Sequence, residues 1–324
     1  MKAITYQEYG PPEVLKLSEV SKPIPKENQV LIKIRAVAVN MGDCELRSPK
    51  IPNSIWLIVR LFFGLFKPRK KVLGAYLAGE IESVGSSVTS FKIGDPVFAC
   101  SGPRFGAYAE YICLPEDDAI TPKPENLTSE EASVLGLGLD ALHFLRMASV
   151  QKGQKVLING AGGGIGTIAV QLAKYYGAEV TGVDKSSKLE MLQSIGADHV
   201  VDYTIESFDE QGVTYDVIFD LVGKGTYSKC IHSLSENGIY LLANPSGIGQ
   251  MFRGLWTTMT SRKKVISRFA DASKEDMLII KELVETGAIK PVIDKTMPFE
   301  QVVEAHTYVE SGQKLGNVVL TVAY

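Results

Sequence analysis

The chain has 324 residues, of which 45% are hydrophobic and 22% charged, and it carries a net charge of −3. These values are typical of a globular protein large enough for two domains, and the slightly acidic balance gives no reason to expect a nucleic-acid partner. The four cysteines form no CxxC pair and the amino terminus lacks the apolar stretch of a signal peptide, so we predict no zinc clip and no disulfide framework, and expect a cytoplasmic location by default.

The first third of the chain predicts strands and turns. Residues 30–39 alternate between apolar and polar side chains, as do residues 80–84, and residues 107–114 form another short strand pattern. Gly94-Asp95-Pro96 marks a turn between two of these segments. No helix is expected before residue 50, so this part predicts a small, mostly β domain.

One apolar segment interrupts that pattern. Residues 55–66 (IWLIVRLFFGLF) are followed by a basic run at residues 67–71. The segment is shorter than the roughly 20 residues that span a bilayer, and Arg60 lies within it. We interpret it as a helix that covers the core or forms the wall of a cleft for an apolar substrate; a helix lying on a membrane surface is the alternative.

The middle of the chain alternates between strand and helix patterns. Strands are predicted at residues 155–159 and 179–183, and helices at residues 165–176 and 187–195. Shorter strands follow at residues 200–201, 217–220 and 239–243. This order predicts right-handed crossovers and a parallel, doubly wound sheet.

The carboxyl-terminal part does not continue the alternation of strands and helices. Helices are predicted at residues 274–286 and 299–311, and a final strand at residues 318–322. Because this strand has no partner near it in the sequence, we expect it to return to the first domain.

A glycine-rich turn between the first strand and the first helix of the alternating region is the strongest functional signal. Glycines there allow a tight turn and close approach of a pyrophosphate, and the following helix offers free N–H groups and the positive end of its dipole. A glycine-rich turn without a ligand is the alternative. The predicted cofactor-binding residues of the turn are Gly160, Ala161, Gly162, Gly163, Gly164, Ile165 and Gly166.

The second strand of this region ends in an acid, Asp184. A carboxylate about 20 residues after the turn accepts hydrogen bonds from the ribose hydroxyls and favours NAD; a helix-capping role is the alternative. Lys185 and Lys188 lie just beyond and could instead contact a 2′-phosphate, and Tyr203 could lie near the adenine. Residues alone leave the preference between NADP(H) and NAD(H) open.

Several further motifs give nearly the whole chain a family resemblance. It resembles the zinc-free quinone oxidoreductases of the medium-chain dehydrogenase/reductase superfamily. The motifs that carry the resemblance are residues 74–85 (GAYLAGEIESVG), 91–98 (FKIGDPVF), 106–111 (GAYAEY), the turn at 160–166, 169–174 (AVQLAK), 194–203 (SIGADHVVDY) and 215–223 (YDVIFDLVG).

The resemblance implies an α/β fold in which a Rossmann domain is inserted into a mostly β, GroES-like catalytic domain. The catalytic domain would comprise residues 1–122 plus 270–324, and the dinucleotide-binding domain residues 123–269. A cleft between the two domains and a homodimer are also implied.

The resemblance also implies a site without zinc. Where zinc-using relatives have a Cys, this chain has Asn40, and where they have Gly-His-Glu it has Gly74-Ala75-Tyr76. Catalytic zinc needs three protein ligands, and none of these positions supplies one. Without a Lewis acid, the chemistry suits quinones and α,β-unsaturated carbonyls, which accept hydride readily.

By resemblance, Asn40 faces the nicotinamide or the substrate, although an Asx turn is an alternative. Lys188 and Tyr203 match positions that contact the 2′-phosphate in NADPH-using members. Tyr76 replaces an acid of many relatives and is a candidate proton donor, with a packed core tyrosine as the alternative. Further residues in cofactor-contacting segments are Asn244, Ser246 and Asn317.

Two other functions stay open at this stage. The apolar segment at residues 55–66 suits a reductase of lipid-derived enals or enoyl thioesters. Two departures from the family pattern, Glu45 in place of a Tyr and Asp140 in place of a Thr, leave room for a dinucleotide-binding regulatory protein with little turnover.

Overall fold

The computed structural model describes residues 1–48, 59–223, 225–267 and 273–324. Within these ranges the chain forms two large sheets and a small antiparallel pair of strands. The small pair consists of β1 (Lys2–Thr5) and β2 (Lys16–Glu19).

The larger sheet has seven strands and draws on both ends of the chain. Its order is β14-β15-β3-β4-β5-β7, with β6 paired to β3. The last strand pairs antiparallel with β3, Val318 opposite Val39, so the predicted return of the chain's end to the first domain is confirmed. The strands are β3 (Gln29–Val39), β4 (Tyr76–Val84), β5 (Pro96–Cys100), β6 (Tyr111–Pro115), β7 (Ile120–Pro122), β14 (Ile293–Pro298) and β15 (Asn317–Thr321).

The second sheet has six parallel strands in the order β10-β9-β8-β11-β12-β13. The chain starts in the middle at β8 and moves out first to one side and then to the other, which is the doubly wound arrangement predicted from the sequence. The strands are β8 (Lys155–Asn159), β9 (Glu179–Asp184), β10 (His199–Asp202), β11 (Tyr215–Asp220), β12 (Leu234–Leu242) and β13 (Lys264–Ile266).

Nine α-helices with named bounds accompany the sheets within the described ranges. They are α1 (Met41–Arg47), α2 (Ser129–Ser133), α3 (Gly138–Met147), α4 (Gly164–Tyr175), α5 (Ser186–Ser194), α6 (Tyr227–Ser233), α7 (Ile248–Thr260), α8 (Lys274–Glu285) and α9 (Val302–Glu310). Short 3₁₀ turns lie at Pro12–Val14, Gly102–Arg104, Leu135–Leu137, Phe208–Glu210 and Phe299–Gln301.

The expectation of no helix before residue 50 is wrong, because α1 occupies Met41–Arg47. Asn40 and Asp43 form a reciprocal capping box that satisfies amides at the start of this helix. The helix is only seven residues long, too short for a hydrophobic period to be read from the sequence.

Apolar packing joins the two sheets. One cluster runs from Ala78 and Phe98 of the seven-stranded sheet through Leu142 of α3 to Val156 of the six-stranded sheet. Separate clusters fill the rest of the β-rich lobe and the opposite face of the parallel sheet. The site described below lies where the two sheets approach each other.

The predicted domain division assigns β1–β7, β14 and β15 to one unit and β8–β13 to the other. Its second boundary, between residues 269 and 270, falls in a part of the chain that the structure does not describe. The division at residues 122 and 269 therefore stays a prediction.

The apolar segment at residues 55–66 is only partly described, since residues 55–58 lie outside the described ranges. Residues 59–63 are helical, and Arg60 points inward, with its guanidinium 3.3 Å from the centre of the Tyr9 ring. Phe62 and Phe66 are 73% and 85% exposed. No helix within the described ranges is long and apolar enough to cross a membrane.

Candidate active site

The glycine-rich turn leads from the carboxyl end of β8 into α4. Gly160 has φ +85° and donates its N–H to Val183 O at 3.0 Å, which holds the turn against the neighbouring strand β9. The helix begins at Gly164, and the Thr167 N–H donates to Gly163 O at 3.0 Å. The amides of Gly164, Ile165 and Gly166 precede that bond, so they form the unsatisfied, electropositive end of the helix.

Close backbone packing explains why this turn needs glycine. A Cβ atom built on Gly166 would lie 2.4 Å from Gly160 O and 2.5 Å from Ala161 O. A Cβ atom on Gly163 would meet nothing nearer than Gly160 O at 3.4 Å, so the backbone there is accessible from the outside. The turn is therefore tightly packed at Gly166, and its backbone is accessible at Gly163.

Asp184, which favours NAD, and Lys188, which favours a 2′-phosphate, form one buried ion pair. The Lys188 Nζ lies 3.1 Å from Asp184 Oδ1, and both side chains are less than 10% exposed. The second carboxylate oxygen accepts the Gly162 N–H at 2.8 Å, and Oδ1 also accepts the Lys185 N–H at 2.9 Å. Because Lys185 is the N-cap residue of α5, the helix-capping interpretation of Asp184 is wrong.

The other predicted cofactor residues follow the carboxyl ends of other strands of the parallel sheet, Tyr203 after β10 and Asn244 and Ser246 after β12. Tyr203 is 52% exposed and donates its N–H to Asp184 O at 3.2 Å. Asn244 is exposed and Ser246 half-buried after β12, where the Ser246 N–H donates to Gln250 Oε1 at 2.7 Å. Their roles in cofactor binding stay predictions.

Asn317 brings the β-rich lobe to the turn. It is buried at the start of β15, and its Nδ2 donates to Val292 O at 2.9 Å. Its Oδ1 lies 2.4 Å from where a Cβ atom on Gly164 would be, so it faces the start of α4. One residue earlier, the Gly316 N–H donates to Gly162 O at 2.9 Å. This contact is the direct hydrogen-bonded link between the final loop and the glycine-rich turn.

Asn40 lies on the β-rich side and is held by Asp43. Its Nδ2 donates to Asp43 Oδ2 at 2.6 Å, and its Oδ1 accepts the Asp43 N–H at 3.1 Å. The Asx-type alternative to a catalytic Asn40 therefore describes its local geometry. A second Nδ2 hydrogen stays available for another acceptor, and contact with nicotinamide or substrate stays a prediction.

A buried polar network behind Asn40 was not found from the sequence. Asp43 also accepts the Gly74 N–H at 3.0 Å and the Tyr108 hydroxyl at 3.2 Å. Burial raises the pKa of Asp43 to about 6, against the lowering effect of the hydrogen bonds from Gly74, Asn40 and Tyr108. Asp43 thus ties the start of α1 to the segments that precede β4 and β6.

The network continues to His306 and Cys44. The Tyr108 hydroxyl lies 3.1 Å from His306 Nε2, and Cys44 Sγ lies 3.3 Å from His306 Nδ1. Burial, followed by the charge of Arg47, lowers the pKa of His306 to about 3, so the ring is neutral at pH 7. With the His306 proton on Nε2, this N–H donates to the Tyr108 hydroxyl, which in turn donates to Asp43, and the Cys44 thiol donates to Nδ1. The residues are distant in sequence, so no local pattern could have predicted them.

Tyr76 begins β4 and faces Asp140 of α3. A Cβ atom on Gly136 would lie 2.5 Å from Tyr76 Cδ1, so the ring packs directly on that glycine. The Asp140 carboxyl lies close enough to the Tyr76 hydroxyl for each group to shift the pKa of the other. Burial, and then the charge of Asp140, raises the pKa of Tyr76, while burial raises the pKa of Asp140 to about 6. Two positions that depart from the family pattern thus form one pair.

Potential metal ligands are dispersed. Within the described ranges, no three His, Cys, Asp or Glu side chains are grouped so that they could hold a metal ion.

The chain matches two known domain families. The model of the alcohol dehydrogenase GroES-like domain matches residues 26–125, and that of the zinc-binding dehydrogenase domain matches residues 195–320. The 2-methylene-furan-3-one reductase of Solanum lycopersicum is 35% identical over 333 residues, covering 99% of this chain and 79% of the relative. The chain belongs to the medium-chain dehydrogenase/reductase superfamily.

Two further comparisons place this superfamily member near reductases. The chloroplastic NADPH-dependent alkenal/one oxidoreductase of Arabidopsis thaliana is 33% identical, covering 99% of the chain and 79% of the relative. The solved quinone oxidoreductase from Coxiella burnetii superposes with a TM-score of 0.89 and 30% identity, covering 100% of this chain and 99% of the other. The predicted family and fold class are confirmed, and the chain is an oxidoreductase.

The residues at the turn fit the nicotinamide cofactor that such a fold binds. The α4 amides and the bare backbone at Gly163 suit a pyrophosphate, and a buried lysine, Lys188, stands beside Gly162. A Cβ atom on Gly162 would lie 2.5 Å from Lys188 Cδ, so a larger residue would displace this lysine. The chain therefore has the parts of a dinucleotide site in one place.

Proposed function

We propose that this oxidoreductase uses NADPH to reduce the carbon–carbon double bond of α,β-unsaturated carbonyl compounds, with quinones as further acceptors. The observation that carries the proposal is the glycine-rich turn backed by the buried Lys188–Asp184 pair. The names of two relatives, a methylene-furanone reductase and an alkenal/one oxidoreductase, support this substrate class.

The preference for NADPH over NADH rests on what Asp184 already binds. Its carboxylate accepts the amides of Gly162 and Lys185 and pairs with Lys188, so most of its acceptor capacity is used within the protein. It has little left for two ribose hydroxyls. Lys185 and Lys188 supply positive charge beside it, which favours a 2′-phosphate.

Separate fluorescence titrations with NADPH and NADH test this preference. We expect NADPH to bind at least tenfold more tightly, which corresponds to about 1.4 kcal/mol. Equal or tighter binding of NADH would contradict the NADPH preference and make Asp184 the deciding residue. Failure of both cofactors to bind would remove the basis of the proposed function.

Bound nicotinamide would supply the hydride, and the protein would position the acceptor and provide the proton. We assign the proton to the Tyr76 hydroxyl, since burial and the neighbouring Asp140 keep it protonated at neutral pH. Tyr76 packs on Gly136, and the next residue, Leu137, has its Cδ1 3.1 Å from the position of a Cβ atom on Gly164. These contacts support a position of Tyr76 near the cofactor. The spare Nδ2 hydrogen of Asn40 would orient the nicotinamide or the substrate carbonyl.

A cytoplasmic homodimer completes the proposal. The outer strand β13 pairs only with β12 among the described strands, and the adjacent α7 exposes apolar side chains, with Trp256 69% and Met259 81% exposed. Such a surface beside a free sheet edge is suited to a second copy of the chain. Light scattering of the purified protein should give about twice the 35.3 kDa chain mass; a single-chain mass would contradict the dimer.

A further inference from the structure

The loop between α9 and β15 crosses from the β-rich lobe to the glycine-rich turn. Besides the bond from the Gly316 N–H to Gly162 O at 2.9 Å, Gly312 approaches α5, where a Cβ atom on it would lie 3.7 Å from Lys185 Nζ. Lys314 lies between these two contacts and is half-buried, with its Nζ donating to Gly316 O. Its charge is therefore brought close to the turn by the backbone bond between Gly316 and Gly162.

Lys314 lies near the buried Lys188, because Gly316, whose carbonyl accepts the Lys314 Nζ, is bonded to Gly162, against which the Lys188 side chain packs. Loss of hydration, followed by the charge of Lys188, lowers the pKa of Lys314 to about 8. The pKa of Lys314 is raised, by smaller amounts, by Asp184, Cys44 and Asp294. Two lysines that oppose each other in a poorly hydrated place raise the free energy of the charged protein.

The neighbouring carboxylates are already engaged. Asp184 pairs with Lys188 at 3.1 Å, and Asp294 accepts the Tyr308 hydroxyl at 2.7 Å and the Leu315 N–H at 3.0 Å. The buried thiol of Cys44 is neutral, because burial raises its pKa. Lys188 is balanced by Asp184, whereas Lys314 forms no ion pair among the described residues and its Nζ donates to Gly316 O. A phosphate beside the α4 amides would give Lys314 an ionic partner.

We propose that Lys314 is a cofactor-binding residue that, together with Lys188, holds a phosphate group of the dinucleotide at the glycine-rich turn. The inference rests on the proposed function and extends it to a loop of the other lobe. Because the loop also contacts Gly162 directly, a phosphate held by both lysines would tie the β-rich lobe to the cofactor.

The charge of Lys314 makes the affinity depend on pH. In the free protein, Lys314 loses its proton as the pH rises through about 8, whereas a bound phosphate favours the protonated form. Affinity should therefore fall as the pH rises from 7 to 9, by about tenfold for one linked proton.

The test uses calorimetric titration of the full chain with NADH and with NADPH at pH 7 and pH 9. We expect Lys314→Gln to weaken binding at pH 7 by about tenfold, the effect of one charge-assisted hydrogen bond, and to lose most of the fall toward pH 9. Lys314→Arg keeps its charge at both pH values, so it should retain affinity and flatten the pH profile. A structural role alone would not separate these two variants in this way.

Lys152→Gln is the matched control. Lys152 is exposed and precedes β8, at the opposite edge of the parallel sheet from the turn, and its loss should leave both titrations unchanged. Equal weakening of NADH and NADPH by Lys314→Gln would identify the pyrophosphate, and weakening of NADPH alone the 2′-phosphate. Both outcomes support the proposal.

Unchanged affinities and an unchanged pH profile in folded Lys314→Gln would overturn the inference and leave the proposed function intact. Wild-type protein that binds neither dinucleotide would overturn the proposed function and the inference with it. Circular dichroism and the melting temperature show whether each variant is folded. If Lys314→Gln does not fold, Lys314→Arg decides alone, because a retained pH profile would then contradict the assignment.

Discussion

Replacement of Gly166 by alanine should weaken dinucleotide binding by about 100-fold or more, a loss of about 2.7 kcal/mol. The added Cβ atom would lie 2.4 Å from Gly160 O and 2.5 Å from Ala161 O, and both are backbone atoms. Since neither can rotate away, the turn must open, and the amides at the start of α4 would move from the position in which they face a pyrophosphate. Fluorescence titration with NADPH measures the effect.

Gly249→Ala is the matched control for this substitution. Gly249 lies in α7, and a Cβ atom there would have no neighbour within 4 Å. The control should bind NADPH like the wild type and be stabilised slightly, by up to about 1 kcal/mol, because alanine is the better helix former. Gly166→Ala with wild-type affinity would show that the turn does not form the phosphate site.

Replacement of Tyr76 by phenylalanine should lower kcat for an enone substrate by about 10² to 10⁴, the usual contribution of a positioned general acid. The ring would still pack on Gly136, so KM and the affinity for NADPH should change little. Such a pattern, with loss in kcat alone, indicates an interaction that matters in the transition state. Steady-state kinetics with a saturating cofactor measures it.

Asp140→Asn removes the charge beside Tyr76 and keeps the shape of the side chain. The Asp140 carboxyl has its pKa raised to about 6 by burial, so in the wild type it loses its proton, and gains a charge beside Tyr76, as the pH rises through that value. The asparagine variant cannot ionise, so it should lose the part of the pH–rate profile centred near pH 6 and keep, above that value, the rate that the wild type has below it. An unchanged kcat in Tyr76→Phe would favour the packed-core interpretation of Tyr76, with the proton coming from water.

Much of the fold could be predicted because its signals are local. The alternation of strands and helices from β8 onward follows directly from periodicity, and the glycine-rich turn was placed at the correct strand–helix junction. The short helix α1 and the apolar helix α7 were not predicted. The apolar residues of α7 do recur at helical spacing, so periodicity indicates this helix; what periodicity does not indicate is that only Gly254 of it is buried.

The sequence by itself determined the family, the parallel sheet and the position of the glycine-rich turn, since each depends on residues that are neighbours in the chain. Only the tertiary structure decided that Asp184 and Lys188 form one ion pair, that Tyr76 lies beside Asp140, and that Asp43 connects Asn40 to Tyr108 and His306. The physical reason is that burial and the partner of a charged or polar side chain depend on which distant segments pack against it. No spacing along the chain records that packing, and it is the packing that sets the charge of each group in this site.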